Sequence, residues 1–273
     1  MSERNQGKLY KLLKSLGDAD LVSARWLHAH GYSTSLVARY VRSGWLRSPA
    51  RGVYGPARGV LGWDGVLRSL QQREGLRLHA GGRFALAWRG HEHYLRLGEA
   101  ARITLYGPDR LPGWVSQLPL AERFETCGRG PFAQTELPFT ADTDDATLFA
   151  QGLERQAASS SGGNIVIATA ERAMLELCDA KPHATLIHEA DAVMQGLAGL
   201  RPELLGRLLQ QCRSVKAKRL FLALAERHAH PWLARTSLDA IDLGSGKRVL
   251  VPGGRLHPKY LITLPRNLDE QLG

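Results

Sequence analysis

The residues whose side-chain chemistry points most clearly to a function lie on one predicted helix, over residues 34–43. Placing these residues at 100° intervals separates an apolar arc from a polar arc. The apolar arc consists of Leu36, Val37, Tyr40 and Val41, and the opposite arc of Ser35, Ala38, Arg39 and Arg42. Arginine can bind a guanine edge through two hydrogen bonds, or a phosphate through one or two. The pattern therefore predicts a helix that packs through one face and presents hydroxyl and guanidinium groups to the major groove of DNA.

A turn-prone segment follows this helix and carries two more arginines. The sequence SPARG at 48–52 separates two short apolar pairs, which is typical of a β-hairpin. Arg47 and Arg51 are then expected along the flanking DNA backbone or in the minor groove, where a narrow groove concentrates negative potential. The predicted DNA-binding residues are Ser33, Thr34, Ser35, Arg39, Arg42, Arg47, Arg51 and Tyr54. The alternative is an ordinary solvated basic helix pair with a hairpin.

Two earlier helices are needed to position this surface. The first has an apolar face at helical spacing, formed by Leu9, Leu12, Leu13 and Leu16. Gly17 is predicted to end it, Ser23 to cap a short second helix that ends before Gly31, and Ser33 to cap the third. Two short helices joined by a glycine-containing turn and followed by a hairpin predict a winged helix-turn-helix over residues 1–60.

The positive charge of the chain is concentrated in the same segment. The 273 residues contain 36 Lys and Arg against 26 Asp and Glu, a formal charge of +10. Residues 1–60 contain ten of the basic and three of the acidic side chains, and so carry +7 of that total. A local excess of this kind favours a nucleic acid as partner.

The remainder, residues 61–273, is predicted to be one α+β domain, with a further division near residue 160 left open. A helix over 63–72 is expected to join it to the first sixty residues. Two short apolar runs, FALAW at 84–88 and RITLY at 102–106, are predicted to be strands. Thr169 is expected to cap a helix, and three more helices are predicted at 185–198, 202–213 and 216–230. Because the helices cluster and do not alternate with strands, an α+β class is favoured over α/β.

Three motifs suggest chemistry and lack the spacing that it needs. His91-Glu92-His93 lacks the HExxH helix spacing and is predicted to be solvated, and GSGK at 244–247 lacks the first glycine of a phosphate loop and is predicted to be a tight hairpin turn. A group of charged residues on two helices is predicted to lie on the helix surfaces: Glu171, Arg172, Glu176, Lys216, Lys218 and Arg219. The sequence therefore predicts no catalytic residue, no metal site and no cofactor.

The sequence also bears on location and redox state. No apolar run approaches the roughly 20 residues that cross a bilayer, and the polar start MSERNQGK lacks the apolar core of a secretory signal. The three widely spaced cysteines, Cys127, Cys178 and Cys212, are expected to be buried thiols. We therefore expect a cytoplasmic protein with no membrane partner.

Three stretches of the chain resemble the AbiEi antitoxins of type IV toxin-antitoxin systems. The first is SGWLRSPARGVYGP at 43–56, in which a helix ends at a glycine-hydrophobic-leucine step and runs into an R-G-V-Y wing. The others are ATAERAMLEL at 168–177 and IDLGSGKRVLVPGGRLHPKYLITLP at 241–265. No motif of the family is recognised in the middle of the chain, residues 90–165, so its role in antitoxicity is left open.

The resemblance implies a function for both parts of the chain. Members of the family bind inverted repeats in double-stranded DNA upstream of their own operon through the winged helix, and so repress it. The larger C-terminal region counteracts a nucleotidyltransferase-like toxin, and a stable complex with that toxin is not expected. On this interpretation the protein is a non-enzymatic antitoxin and autorepressor.

Two other classes of function remain open at this stage. The same winged helix could guide a nuclease-like enzyme to nucleic acid, and a metal-dependent cleavage assay would separate that enzyme from a repressor. A regulator that senses a small ligand through its C-terminal domain is the third hypothesis.

Overall fold

The structure, a computed structural model, describes residues 3–16, 19–91, 102–128, 130–133, 137, 139–140, 142–158 and 163–268. The first sixty residues form three helices and a small antiparallel sheet. The helices are α1 (Glu3–Ser15), α2 (Ala24–Ala29) and α3 (Thr34–Arg42), and the strands are β1 (Val22–Ser23), β2 (Leu46–Ala50) and β3 (Val53–Pro56). The strand order is β1-β3-β2, so the last strand lies between the other two.

Local signals account for these elements. The Ser23 side chain accepts a hydrogen bond from the backbone N–H of Trp26, and that of Ser33 from the N–H of Leu36, so both predicted caps are confirmed. The predicted hairpin is confirmed as β2 and β3, and Gly52 takes the left-handed φ of 73° at its turn. The predicted helix end at Gly17 lies outside the described residues. The three helices and the sheet share one apolar core, formed by Leu9, Leu12, Leu16, Val22, Leu27, Leu36, Val37, Tyr40 and Leu46.

A helix and a π-helical turn attach this unit to the rest of the chain. The predicted joining helix is confirmed as α4 (Trp63–Arg68), which continues as a five-residue π-helical segment over Ser69–Arg73. Asp20, only 1% exposed, forms ion pairs with Arg68 at 2.5 Å and with Arg73 at 3.2 Å. Gly65 lies so close to Ala19 that a Cβ would come within 2.6 Å of the Ala19 carbonyl oxygen. The unit is therefore packed onto α4 through buried contacts.

The larger part of the chain, from residue 61 onward, contains a mixed sheet of five strands. These are β4 (His79–Ala80), β5 (Arg102–Tyr106), β6 (Arg123–Cys127), β7 (Leu153–Ala157) and β8 (Asn164–Ala168), in the order β6-β5-β4-β8-β7. Strand β4 is parallel to β8, and β5 is parallel to β6, whereas the β4–β5 and β7–β8 pairs are antiparallel. The strands on either side of residue 160 thus pair with each other.

The run FALAW corrects one prediction. It was expected to be a strand, but it lies in helix α5 (Gly82–Trp88), with Ala85, Leu86 and Ala87 buried. A short apolar run fits a buried helix as well as a buried strand, and periodicity does not separate the two. The other predicted strand, RITLY, is confirmed as β5.

Further helices line the largest core. They are α6 (Asp145–Ala150), α7 (Ala170–Asp179), α8 (Ala184–Gly196), α9 (Pro202–Gln211), α10 (Val215–Arg227) and α11 (Pro231–Ala234), and a short hairpin of β9 (Arg255–Leu256) and β10 (Thr263–Leu264) comes last. Thr169 caps α7 as predicted, through the N–H of Arg172. The protein is thus of mixed α+β class, and within the described ranges no helix is long and apolar enough to cross a membrane.

Candidate nucleic-acid interface

Helix α3 divides into a buried face and an exposed face, as the sequence predicts. Leu36, Val37 and Tyr40 are buried, and Tyr40 is fully enclosed. Burial raises the pKa of the Tyr40 phenol, which therefore stays neutral within the core. The opposite face is open to solvent, and its side chains are Thr34, Ser35, Ala38, Arg39 and Arg42.

The N-terminal turn of α3 carries a cluster of hydroxyl groups. The Ser33 hydroxyl caps the helix and lies 3.1 Å from the Ser35 hydroxyl, while Thr34 is exposed beside them. Because the N-terminus of a helix has unsatisfied backbone N–H groups and a partial positive charge, this end of α3 is suited to a phosphate.

The hairpin places its two arginines differently. Arg51 is exposed next to the turn glycine, whereas Arg47 on β2 is half-buried and its buried Nε has no hydrogen-bond partner. Tyr54 on β3 is half-buried and packs against the core of the unit, so only part of its ring is open to a ligand. The structure therefore places all eight predicted residues on α3 or the hairpin, but it does not give them equal access to a ligand.

The arginines of this surface are not ion-paired with any residue that the structure describes. Within the described residues, no ion pair or side-chain hydrogen bond involves Arg39, Arg42, Arg47 or Arg51. The one acidic side chain described between residues 7 and 60 is Asp20, which is buried and bound to Arg68 and Arg73. The exposed face of α3 thus carries guanidinium charge that no ion pair with a described carboxylate neutralises.

One contact that positions α3 was missed at the sequence level. The ammonium group of Lys8 on α1 donates a hydrogen bond to the carbonyl oxygen of Gly31 at 3.0 Å, and the hydroxyl of Tyr32 donates to the carbonyl oxygen of Lys8 at 3.2 Å. Gly31 lies in the turn between α2 and α3 with φ of 79°. Helix α1 therefore holds this turn in place. Helical spacing predicts for Lys8 only a position on the polar side of α1, because the contact joins residues more than twenty positions apart.

The charged residues of α7 and α10 correct a second prediction. They were expected on the helix surfaces, but Glu171, Arg172, Glu176, Lys218 and Arg219 are all buried, and Lys216 is half-buried. A helix that is apolar on all sides is normally enclosed. The run of Ala173, Met174, Leu175 and Leu177 around α7 is the signal that could have shown this.

Glu176 is the centre of the buried group on α7. Its carboxylate accepts hydrogen bonds from Nε2 of His79 at 2.9 Å, from Nε of Arg172 at 2.8 Å and from the N–H of Gly82 at 2.9 Å. Burial alone would raise the pKa of Glu176, but His79 and Arg172 lower it overall. Burial lowers the pKa of His79. These residues tie β4, α5 and α7 together.

The other sequence candidates are separate from this group. In the segment 91–93 only His91 is described, so the HEH motif as a whole lies outside the described residues. The predicted hairpin turn at 244–247 is not found, because the segment is an exposed loop between α11 and β9. Over the part of the chain that the structure covers, no three His, Cys, Asp or Glu side chains are grouped to hold a metal.

The cysteines only partly match their prediction. Cys178 and Cys212 are buried, and burial raises the pKa of the Cys212 thiol to about 11. Cys127, on the edge strand β6, is half-exposed, so the prediction of a buried thiol is wrong there.

Two protein-family models together match nearly the whole chain. A family model described as the AbiEi antitoxin N-terminal domain of a transcriptional regulator matches residues 5–97. A second, described as a transcriptional regulator, AbiEi antitoxin, of type IV toxin-antitoxin systems, matches residues 100–265. No curated protein sequence matches the chain.

A solved structure shares the fold. The crystal structure of the RV2827C protein from Mycobacterium tuberculosis superposes with a TM-score of 0.51 and 17% sequence identity, covering 93% of this chain and 90% of that one. At this identity the likeness concerns the fold alone.

Proposed function

The chain belongs to the AbiEi family of antitoxins, which are transcriptional regulators of type IV toxin-antitoxin systems, and from this we propose that its first sixty residues are a DNA-binding winged helix-turn-helix. The family is one of regulators and is not a family of enzymes. The observation that carries the proposal is the exposed face of α3, with guanidinium groups that no described carboxylate neutralises.

The order and pairing of the elements support this assignment. Helices α2 and α3 are joined by a short turn at a glycine, and a hairpin follows α3 directly. In helix-turn-helix proteins the second helix of such a pair lies in the major groove. Helix α3 is nine residues long, with a polar exposed face and an apolar buried face. Its burial against α1, α2 and β2 would hold the polar face rigidly towards the duplex.

We assign different roles to the predicted contact residues. Arg39, Arg42 and Ser35 read base edges in the major groove, because they lie on the exposed face of α3. Ser33 and Thr34 lie at the N-terminus of the same helix, where backbone N–H groups and hydroxyls bind a phosphate. Arg47, Arg51 and the exposed part of Tyr54 contact the flanking backbone or minor groove from the hairpin.

The proposal extends to the operon and the toxin. We propose that the DNA partner is a pair of inverted repeats upstream of the protein's own operon, and that binding there represses transcription. Residues 61–273 would act as the antitoxin domain against a nucleotidyltransferase-like toxin without a stable complex. Both statements depend on family membership, and they imply action in the cytoplasm.

The experiment is a gel shift with the full-length protein and a duplex that spans the upstream intergenic region. Each neutralised phosphate changes the slope of log affinity against log salt by about 0.9, so several bound arginines predict a steep loss of affinity. Absence of salt-sensitive binding to that duplex would contradict the proposal. Equal affinity for a scrambled duplex of the same length would contradict a role for α3 in reading bases.

A matched control separates the effect of where the arginines lie from the effect of net charge. Arg39→Gln with Arg42→Gln removes two positive charges from α3, and Arg110→Gln with Arg207→Gln removes two exposed charges from the larger part. We expect the first pair to abolish specific binding and the second to leave it nearly unchanged. Equal losses for both pairs would show that net charge, and not the face of α3, drives binding.

A further inference from the structure

A buried arginine in α10 holds an exposed glycine-rich loop. Arg219 is only 3% exposed, and its guanidinium donates to the carbonyl oxygens of Leu243 at 2.7 Å, Gly244 at 2.9 Å and Gly246 at 2.6 Å. A buried guanidinium is costly unless its N–H groups are satisfied, and here three loop carbonyls satisfy them. The loop is therefore fixed from below with its carbonyl groups facing the protein.

The φ angles of this loop alternate in sign, as they do in an anion-binding nest. Gly244 and Gly246 have left-handed φ values of 59° and 75°, whereas Ser245 and Lys247 have negative φ. Successive residues of alternating hand direct their backbone N–H groups into one concavity. The amides of Ser245, Gly246 and Lys247 donate no hydrogen bond to any residue that the structure describes. The two flanking amides already donate hydrogen bonds, that of Gly244 to the Asp242 carboxylate and that of Arg248 to the Leu261 carbonyl oxygen.

Two cationic side chains lie at the same loop. Lys247 and Arg248 are exposed, and neither side chain forms an ion pair or hydrogen bond with the described part of the chain. All residues from 244 to 249 are exposed, so their side chains are not part of the core, although Arg219 is buried beneath them. A fixed loop with free amides and two adjacent cations has the features of an anion site.

We propose that residues 244–248 bind a phosphate group, carried by a nucleotide or by the backbone of a nucleic acid. The amides of Ser245, Gly246 and Lys247 supply directed donors, and the side chains of Lys247 and Arg248 supply charge. The site belongs to the larger part of the chain and needs neither α3 nor the hairpin. It is distinct from a nucleotide-binding phosphate loop, because Ile241 replaces the first glycine of that pattern and no helix begins directly after Lys247.

The test follows the amide resonance of Gly246 in full-length protein labelled with 15N-glycine. The probes are sodium pyrophosphate and a short oligothymidylate without terminal phosphates, each compared with sodium chloride at equal ionic strength. We expect a saturable shift of this amide with at least one probe. Saturation by pyrophosphate alone identifies a free polyphosphate group as the ligand, and saturation by the oligonucleotide identifies a backbone phosphate. Absence of a saturable shift with both probes overturns the proposal.

Two double variants separate a built site from general positive charge. Lys247→Gln with Arg248→Gln should weaken the apparent affinity about tenfold or more, because it removes two charge-assisted contacts. Lys181→Gln with Arg207→Gln removes the same charge from exposed positions elsewhere and should leave the affinity unchanged. Equal weakening in both variants overturns the proposal. All four positions are exposed, so equal melting temperatures are expected and serve as the check on folding.

Discussion

Arginines before residue 60 and arginines after it are used in different ways. On α3 and the hairpin, Arg39, Arg42, Arg47 and Arg51 make no ion pair or side-chain hydrogen bond with any described residue. In the larger part, many arginines bind a carboxylate or a carbonyl, including Arg68, Arg73, Arg77, Arg83, Arg89, Arg155, Arg172, Arg201, Arg219 and Arg227. The first set carries guanidinium groups without a described partner, whereas the second set joins elements of the fold.

The paired arginines join elements that are far apart in sequence. Arg89 binds Glu154 at 2.7 Å and also the carbonyl oxygen of Ala168, so it links the end of α5 to β7 and β8. Arg201 binds Glu171 at 2.8 Å and so links the start of α9 to α7. Of the net charge of +10, residues 1–60 carry +7 and the larger part carries the remaining +3.

The largest effect is expected where a paired charge is fully buried. Replacing Glu176 by Ala leaves Arg172 and His79 without their carboxylate, and breaking a buried pair on one side costs about 3–5 kcal/mol. We expect the free energy of unfolding, measured by urea denaturation, to fall by that amount. A change below about 1 kcal/mol would show that the buried charges do not stabilise the fold.

The next pair of variants compares one arginine of each kind directly. Arg42→Gln should lower operator affinity by about 1–3 kcal/mol, roughly 5- to 150-fold, with little change in stability. Arg89→Gln should lower stability by about 1–3 kcal/mol, because a charged hydrogen-bonding group is lost from a half-buried site, with little change in affinity. Gel shifts and urea denaturation of both variants give the four values. Loss of stability in Arg42→Gln would show that an arginine of the α3 face also holds the fold together, and the two sets of arginines would then not differ in role.

Acid should destabilise the protein through its buried histidine. The pKa of His79 is lowered from its ordinary value of 6.5 by burial, so the unfolded chain takes up a proton below that pH before the folded chain does. Stability from this group is present above pH 6.5 and is lost as pH falls through the lower, folded value, with a slope of up to about 1.4 kcal/mol per pH unit.

The measurement is the free energy of unfolding between pH 7.5 and pH 5.5, above the range in which Glu171 and Glu176 titrate. His79→Gln serves as the comparison, because its amide can still donate to Glu176 and does not titrate. The wild type should show the steeper loss. Equal slopes for the two proteins would contradict the neutral state of His79.

The smallest effect is expected for an exposed pair in the larger part. Arg102 and Glu125 lie 3.8 Å apart on β5 and β6, with their side chains 67% and 49% exposed. Exposed ion pairs contribute about 0–1 kcal/mol, so Glu125→Ala should change the midpoint of urea denaturation very little. A loss as large as that of Glu176→Ala would mean that pairing, and not burial, decides the stability of this part.

The N-terminal unit could be predicted from sequence because its signals are local. The Ser23 and Ser33 hydroxyls each accept a hydrogen bond from an N–H three residues ahead, and the two faces of α3 follow from helical spacing alone. The DNA contacts proposed on that face remain predictions. The resemblance to the AbiEi family, based on three stretches of sequence, is confirmed by family models over most of the chain.

The larger part was predicted less well because its determinants are distant in sequence. His79 and Glu176 are 97 positions apart, and Arg219 reaches a loop more than twenty positions away. A pattern read in a short window shows charged residues on a helix but not the partners that allow their burial. The same limit explains FALAW, where the choice between helix and strand depended on its packing against α7 and β8.

The attachment of the N-terminal unit through Asp20, Arg68 and Arg73 has a consequence for geometry on DNA. A unit fixed by buried ion pairs cannot turn freely on its neighbour, so each bound copy would carry its larger domain at a set angle around the duplex. If two copies bind the proposed inverted repeats, the spacing of the half-sites would set whether those domains lie on the same side of the double helix. Inserting about five base pairs, half a helical turn, would move them to opposite sides.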